Sequence, residues 1–384
     1  MPTAPTGSTP ASSPPQACFS VDADITRAST LPKSFYLDDA AYALARERIF
    51  ARSWQWLGDL ADVREPGSLS PRELLPGLLD EPLLLSRDAA GELRCLSNVC
   101  THRGNVLVAA PCRSAQIRCA YHGRRFDLAG RMRAMPAFER ACNFPSPRDD
   151  LPAVPLGSWG DWAFAAVSPA APLSAFIGEM QARLAWLPLH EFKADPTLAR
   201  DHEFDAHWAL YVENYLEGLH IPFVHPGLSQ SLDLAHYRHE LYRHANLQLA
   251  TARCDEPAFD LPPSSPDHGQ RIAAYYFWVF PNLMFNFYPW GLSLNIVTPL
   301  APARTRVSFR AFVWNAARLG EGAGGALDQV EQEDEAVVMS VQRGLRSRFY
   351  DRGRYAPERE CGVHHFHRLL GEFMEGAAGT SAAP

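Results

Sequence analysis

Two short loops constrain this chain more than any other part of it. They are Cys100-Thr-His102-Arg-Gly104 and Cys119-Ala-Tyr-His122-Gly123, with sixteen residues between His102 and Cys119. Each offers one thiolate and one imidazole, and each follows a strand-like run, as two facing hairpin tips would require. Two Cys can hold one iron of a [2Fe–2S] cluster and two His the other, which raises its potential above that of an all-Cys cluster. A structural Cys₂His₂ zinc site competes, although zinc loops more often use Cys-x-x-Cys knuckles. Gly104 and Gly123 allow close backbone approach to the sulfurs.

The chain around these loops has 384 residues, 47% of them hydrophobic and 21% charged, which suits a soluble two-domain protein with a large core. A net charge of −7 argues against a nucleic-acid surface. No apolar run approaches the roughly 20 residues that span a bilayer. Residues 1–20, MPTAPTGSTPASSPPQACFS, lack a basic start and an apolar stretch, so they read as a disordered tail and not as a signal peptide. Eight scattered Cys fit a reducing, cytoplasmic setting.

The expected organisation is a tail over 1–35, a helix over 36–52 with Asp38 as its cap, an all-β module over 53–155, and an α+β domain over 156–384. The second half predicts a helix near 173–187, one over 209–220, long strands near 200–208, 241–251, 271–280, 292–300 and 305–314, then helices over 327–349 and 361–375. Long antiparallel strands backed by a long helix are an α+β pattern.

A second constellation lies in this half. Glu217 and His220 are three apart and share a face on a helix, Pro222 stops that helix, and His225 swings back from the following turn. About 110 residues later Asp334, Val337, Val338 and Val341 form one stripe, so Asp334 points with the apolar face and needs a partner. His220, His225 and Asp334 would make a two-His-one-carboxylate triad on ferrous iron, leaving open positions for O2. The run Asp328, Glu331, Glu333, Glu335 reads mostly as a solvated face, and the bland alternatives are a structural His and a solvated Glu217.

The stretch LSNVCTHRGNVL…IRCAYHGRRFDLAGRMRAMP resembles the Rieske domains of oxygenases, departing at Arg124, where many members have Trp. The half carrying Glu217, His220, His225 and Asp334 resembles the catalytic domain of Rieske non-haem iron oxygenase α subunits, a helix-grip fold. The resemblance spans roughly residues 36–350. It implies a [2Fe–2S] cluster on Cys100, His102, Cys119 and His122, and a mononuclear Fe(II) on the triad. It also implies a homotrimer in which Glu217 bridges His122 of one subunit and His220 of the next. Glu at that bridge is similar to the choline, betaine and carnitine monooxygenase branch. No glycine-rich nucleotide loop is read in the chain, so electrons are expected from a separate NAD(P)H-dependent reductase or ferredoxin.

Residues 275–290 hold nine aromatics in sixteen positions, most of them expected to be sheet core. Phe285, Phe287, Tyr288 and Trp290 are the candidates to line the iron pocket and hold a quaternary ammonium group by cation–π attraction. Hydroxylation of an aromatic ring by the same machinery is the rival, and an electron carrier with a vestigial second site is the rival of another class. His364, His365 and His367 read as the end of an amphipathic helix with no metal.

Overall fold

A computed structural model describes residues 19–325 and 327–376. Two helices, α1 (Lys33–Leu37) and α2 (Asp39–Arg48), lead into the β-module. Asp38 caps α2, its carboxylate accepting from the Ala40 N–H at 2.8 Å. Residues 19–35, expected as part of a disordered tail, are packed onto the core. Phe19, Ala28, Leu31 and Phe35 are all buried, Phe19 meets Phe35 edge-on at 5.3 Å, and apolar burial outweighs the polar composition that suggested disorder. Residues 1–18, the rest of that tail, lie outside the described residues.

Short strands broken by Gly and Pro turns build the module that carries the two loops. They are β1 (Gln55–Asp59), β2 (Ser68–Leu74), β3 (Glu81–Arg87), β4 (Leu93–Ser97), β5 (Cys112–Arg113), β6 (Ile117–Arg118), β7 (Arg125–Phe126) and β8 (Met132–Ala134). One sheet has the order β4-β3-β2-β5 and another β6-β7-β8. A third joins β1 to β10 (Trp162–Ala165) and then β9 (Leu156–Trp159). The boundary expected at 155 therefore cuts through β structure, because β9 and β10 return to pair with β1.

The second half is built on one antiparallel sheet of order β11-β17-β16-β15-β14-β13-β12. Its strands are β11 (Lys193–Phe204), β12 (Arg238–Leu241), β13 (Ala245–Thr251), β14 (Ile272–Val279), β15 (Leu283–Tyr288), β16 (Gly291–Ala301) and β17 (Arg304–Val313). The aromatic run is two strands, since Phe280-Pro281-Asn282 turns the chain between β14 and β15. One face of the sheet packs on the β-module, where Trp162 and Phe164 stand 6.5 and 6.4 Å from Phe285 and Trp56 stands 5.8 Å from Phe312. The opposite face carries the candidate site.

The helices are α3 (Ser174–Arg183), α4 (Trp208–Tyr215), α5 (Ile221–Val224), α6 (Pro226–Ser231), α7 (Leu327–Gly344) and α8 (Cys361–Glu375). The helix expected over 209–220 stops at Tyr215, so Glu217 and His220 are not on a shared helical face, and Pro222 opens α5 where it was expected to end a helix. On α7 the inward stripe is Glu331, Val338 and Gln342, whereas Val341 is exposed. Polar partners explain it, because Gln342 Oε1 accepts from the His207 N–H at 2.8 Å and Glu331 from the Tyr211 hydroxyl at 2.7 Å. Among the described residues no helix is long and apolar enough to cross a membrane.

Candidate metal centres

The two Cys/His loops are built alike. The Cys100 N–H donates to Asn105 O and the Cys119 N–H to Arg124 O, each at 2.8 Å. The Gly104 N–H returns to Cys100 O and the Gly123 N–H to Cys119 O, each at 3.0 Å. Gly104 and Gly123 have φ of 72° and 73°, the left-handed region that a side chain disfavours. Equal turns on two tips bring the His102 and His122 rings to 4.8 Å and leave the two buried Cys as hydrogen-bonding neighbours.

The electrostatics of the two thiols differ. Burial pushes the Cys100 thiol up, opposed by the His102 N–H. Burial acts on Cys119 too, but the N–H groups of Tyr121 and His122 bring it below the usual thiol range. His122 Nδ1 is buried with no hydrogen-bond partner, which a coordinate bond would resolve. Among the described residues, the ligand atoms that gather tightly enough for one ion belong to His220, His225 and Asp334, not to this quartet. Two sulfurs and two imidazoles whose ligand atoms do not gather around one point fit a two-iron cluster better than one tetrahedral zinc.

Arg124, the departure noted in the sequence, is 2% exposed. Its Nη1 donates to Thr101 Oγ1 at 2.8 Å and to Asp149 Oδ1 at 3.3 Å. Its guanidinium faces Phe138 and Phe144 at 5.7 and 5.5 Å.

At the second centre one ligand atom of each of His220, His225 and Asp334 lies within 4.8 Å of the others. His225 Nε2 is 2.9 Å and His220 Nε2 3.7 Å from Asp334 Oδ1. The far side of each ring is held by a carboxylate, with Glu217 at 2.6 Å from His220 Nδ1 and Glu333 at 2.7 Å from His225 Nδ1. Those contacts fix both imidazoles with Nε2 aimed inward, the arrangement that metal-binding His require. Burial opposes the charged form of His225, yet Asp334 and Glu333 together raise it above its ordinary range. These donors fit a two-His-one-carboxylate iron. Glu217 also accepts from the backbone N–H groups of Leu219 and His220, locking the turn that presents the first His.

Over this triad lies a cavity of about 110 Å³. Its sheet wall is a row set by strand register, with Gln248 opposite Tyr276, Tyr276 opposite Asn286, and Asn286 opposite Ser293. Tyr211, Tyr215, Tyr237 and Tyr288 complete much of the lining. Their hydroxyls are tied down: Tyr215 donates to Asn286 at 2.8 Å and Tyr237 to Gln248 at 3.1 Å.

Tyr288 is thus placed at the cavity. Phe285 and Phe287 are not, because alternation along β15 turns them to the opposite face, against Trp159 and Trp162. Trp290 lines an adjoining cavity and stacks on Tyr288 at 5.5 Å. Glu333, expected as part of a solvated run, instead holds His225, a candidate ligand. A further correction concerns glycine: Gly320-Glu-Gly322-Ala-Gly324-Gly325 has the G-x-G-x-x-G spacing. It follows a 3₁₀ turn beyond β17 and not a strand end, so it lacks the context of a dinucleotide loop. The C-terminal His cluster is a helix face: His367 is buried and meets the Tyr355 hydroxyl at 2.7 Å.

A cluster-bearing β-module beside a triad-bearing antiparallel sheet defines an oxidoreductase of the Rieske oxygenase class. Residues 53–151 match the Rieske [2Fe-2S] domain, and residues 185–376 match the catalytic domain of ring hydroxylating alpha subunits. The chain is 30% identical over 370 residues to the chloroplastic choline monooxygenase of Arabidopsis thaliana, covering 90% of this chain and 83% of that one. It is 28% identical over 362 residues to the carnitine monooxygenase oxygenase subunit of Escherichia coli, covering 90% and 94%. Among solved structures, a quaternary ammonium Rieske monooxygenase superposes with a TM-score of 0.71 at 24% identity, over 90% of this chain and 95% of that one. Naphthalene 1,2-dioxygenase from Rhodococcus sp. does so at 0.68 and 19%, over 90% and 94%. These two show the shared fold. The chain belongs to the Rieske non-haem iron oxygenase α subunits, with a [2Fe–2S] domain and a catalytic non-haem iron domain.

Proposed function

We propose that this chain is a terminal oxygenase component that hydroxylates a small quaternary ammonium or N-methylated substrate, with electrons from a separate NAD(P)H-dependent reductase. The observation that carries the reading is the tyrosine-walled cavity directly over His220, His225 and Asp334. When bound, the iron supplies dioxygen activation and the cluster supplies electrons. The residues do the rest. Glu217 and Glu333 hold the ligand imidazoles in one tautomer, and the tyrosine faces receive a cation while keeping bulk water off the reacting carbon. Overall, the substrate C–H, O2, two electrons and two protons give C–OH and water. Hydroxylation of a carbon attached to nitrogen yields a hemiaminal that collapses with loss of the methyl group or cleavage of the C–N bond. The relatives are named for choline and carnitine, which supports the substrate class.

The electron route in this reading crosses between subunits of a homotrimer, from His122 of one copy through Glu217 to His220 of the next. Both ends of that route carry exposed apolar side chains of the kind that subunit contacts cover. Tyr121 is 55% exposed next to His122, and Phe223 is 82% exposed three residues beyond His220. The test is product analysis with the iron-loaded protein, a surrogate reductase and NADH, offering choline, glycine betaine, carnitine and simple aromatic acids. Oxidation of an ammonium compound is expected, and conversion of the aromatic acids alone overturns the reading. Reduction of the cluster with no oxygenated product from any of them would favour an electron carrier.

A further inference from the structure

Glu331 has no role in the centres described above, yet it lies at the wall of the triad cavity. It sits on α7 three residues before Asp334, so the two side chains leave the helix on one face. Only 6% of it is exposed. Oε2 accepts from the Tyr211 hydroxyl at 2.7 Å, while Oε1 is buried with no partner. A half-satisfied buried carboxyl is costly, and a hydrophobic residue would fill the space more cheaply.

The rest of the cavity shows what would satisfy it. Among the described lining residues there is no Lys or Arg. Arg200, in the adjoining cavity, is held by Asp328 at 2.7 Å. Glu217 is spent on His220 and the backbone around it. Tyr276 meets Tyr215 and Tyr288 edge to face at 6.4 and 5.9 Å, so three of the lining rings pack on one another.

Resting on the quaternary-ammonium reading above, we propose that Glu331 makes this site specific for an organic cation that carries no carboxylate, with a cationic head set between its free oxygen and the tyrosine rings. Burial alone pushes the Glu331 carboxyl well above its ordinary range. A trimethylammonium group has no hydrogen to donate, but its charge beside Oε1 favours the carboxylate, and it is held by that charge and the tyrosine rings together. A zwitterion of the betaine or carnitine kind brings a carboxylate into a space walled by Glu331, Glu217 and Asp334, with no basic side chain to meet it.

The test uses iron-loaded holoenzyme and isothermal titration calorimetry with choline, its neutral isostere 3,3-dimethylbutan-1-ol, glycine betaine and carnitine, and with benzoate and salicylate as the aromatic acids. Choline is expected to bind at least about tenfold more tightly than each of the others. Glu331→Gln keeps the acceptor for Tyr211 and is expected to remove that preference over the neutral isostere, whose own affinity stays within roughly twofold. Unchanged iron content and visible spectrum establish that the variant is folded. Betaine or carnitine binding as tightly as choline to the wild type overturns the inference while leaving the ammonium reading intact, and that comparison needs no variant. An unchanged preference in Glu331→Gln also overturns it. Binding of aromatic acids with none of the ammonium compounds bound removes the parent reading, and the inference with it.

Discussion

His225 Nε2 lies 2.9 Å from Asp334 Oδ1, although 109 residues separate the two in the chain. The pair joins the turn between α5 and α6 to α7, and it is the tightest contact between the candidate iron ligands. His225 is 1% exposed, and Glu333 holds its other nitrogen from the position next to Asp334.

His225→Ala is expected to lower iron from about three to about two per chain, with the Rieske visible spectrum retained and oxygenation lost. Glu333→Ala leaves the ligands in place but frees the ring, and should weaken mononuclear iron retention by about 10–100-fold. Metal analysis after graded chelation reads both, and full turnover by His225→Ala would refute the ligand assignment.

Glu217→Gln keeps one acceptor oxygen, enough for the His220 Nδ1–H that sets the ligand tautomer, but removes the charge and the second acceptor used by the Leu219 and His220 N–H groups. Both metals should stay bound while cluster-to-iron electron transfer slows by at least an order of magnitude, roughly the loss of one charge-assisted hydrogen bond. Single-turnover oxidation of the pre-reduced cluster measures it, and a wild-type rate would take Glu217 out of the route.

Arg124 is a buried cation that acts electrostatically on Cys100 and His102. Adding an electron to the cluster is favoured by a nearby positive charge, so Arg124→Gln should move the reduction potential to a more negative value. A redox titration followed by electron paramagnetic resonance checks the sign. Asp149 limits the size of the shift, because its carboxylate 3.3 Å away already offsets part of the charge.

Stability should fall in mild acid because of His207. Burial lowers its imidazole to about 3, from an ordinary 6.5. The unfolded chain therefore takes up a proton below about pH 6.5 that the folded chain refuses until near pH 3. The stabilising effect is complete above 6.5 and is lost at about 1.4 kcal/mol per pH unit across that window. Denaturation midpoints between pH 7 and 4.5 would show it. His207→Asn keeps a side-chain acceptor for the Ala209 N–H and should flatten the slope.

The two metal motifs could be read from the chain because their chemistry is local. Cys100 with His102 and Cys119 with His122 lie within single loops, and His220 and His225 within one turn region. Asp334 is reachable from its stripe, though Val341 does not belong to it, since Gln342 and Glu331 turn inward to meet the His207 N–H and the Tyr211 hydroxyl. The cavity was hidden for a different reason. Its floor of Gln248, Tyr276, Asn286 and Ser293 exists only once strand register is fixed. Alternation within LMFNFY already separates Asn286 from Phe285 and Phe287, and a polar residue in the middle of such a strand was the available signal.

The packed segment that begins at Phe19 has a consequence for how the chain is made. His364 Nε2 meets Asp22 O at 2.7 Å across 342 residues, Ser29 bridges to Arg354, and the backbone of Phe19 lies so close to Gly371 that a Cβ there would come within 2.8 Å of it. During synthesis the segment from Phe19 has Phe35 within reach at once, but it lacks its partners at Arg354, His364 and Gly371 until α8 has emerged. The β-module can form early, whereas this part of the core closes only when two stretches 342 residues apart in the chain meet.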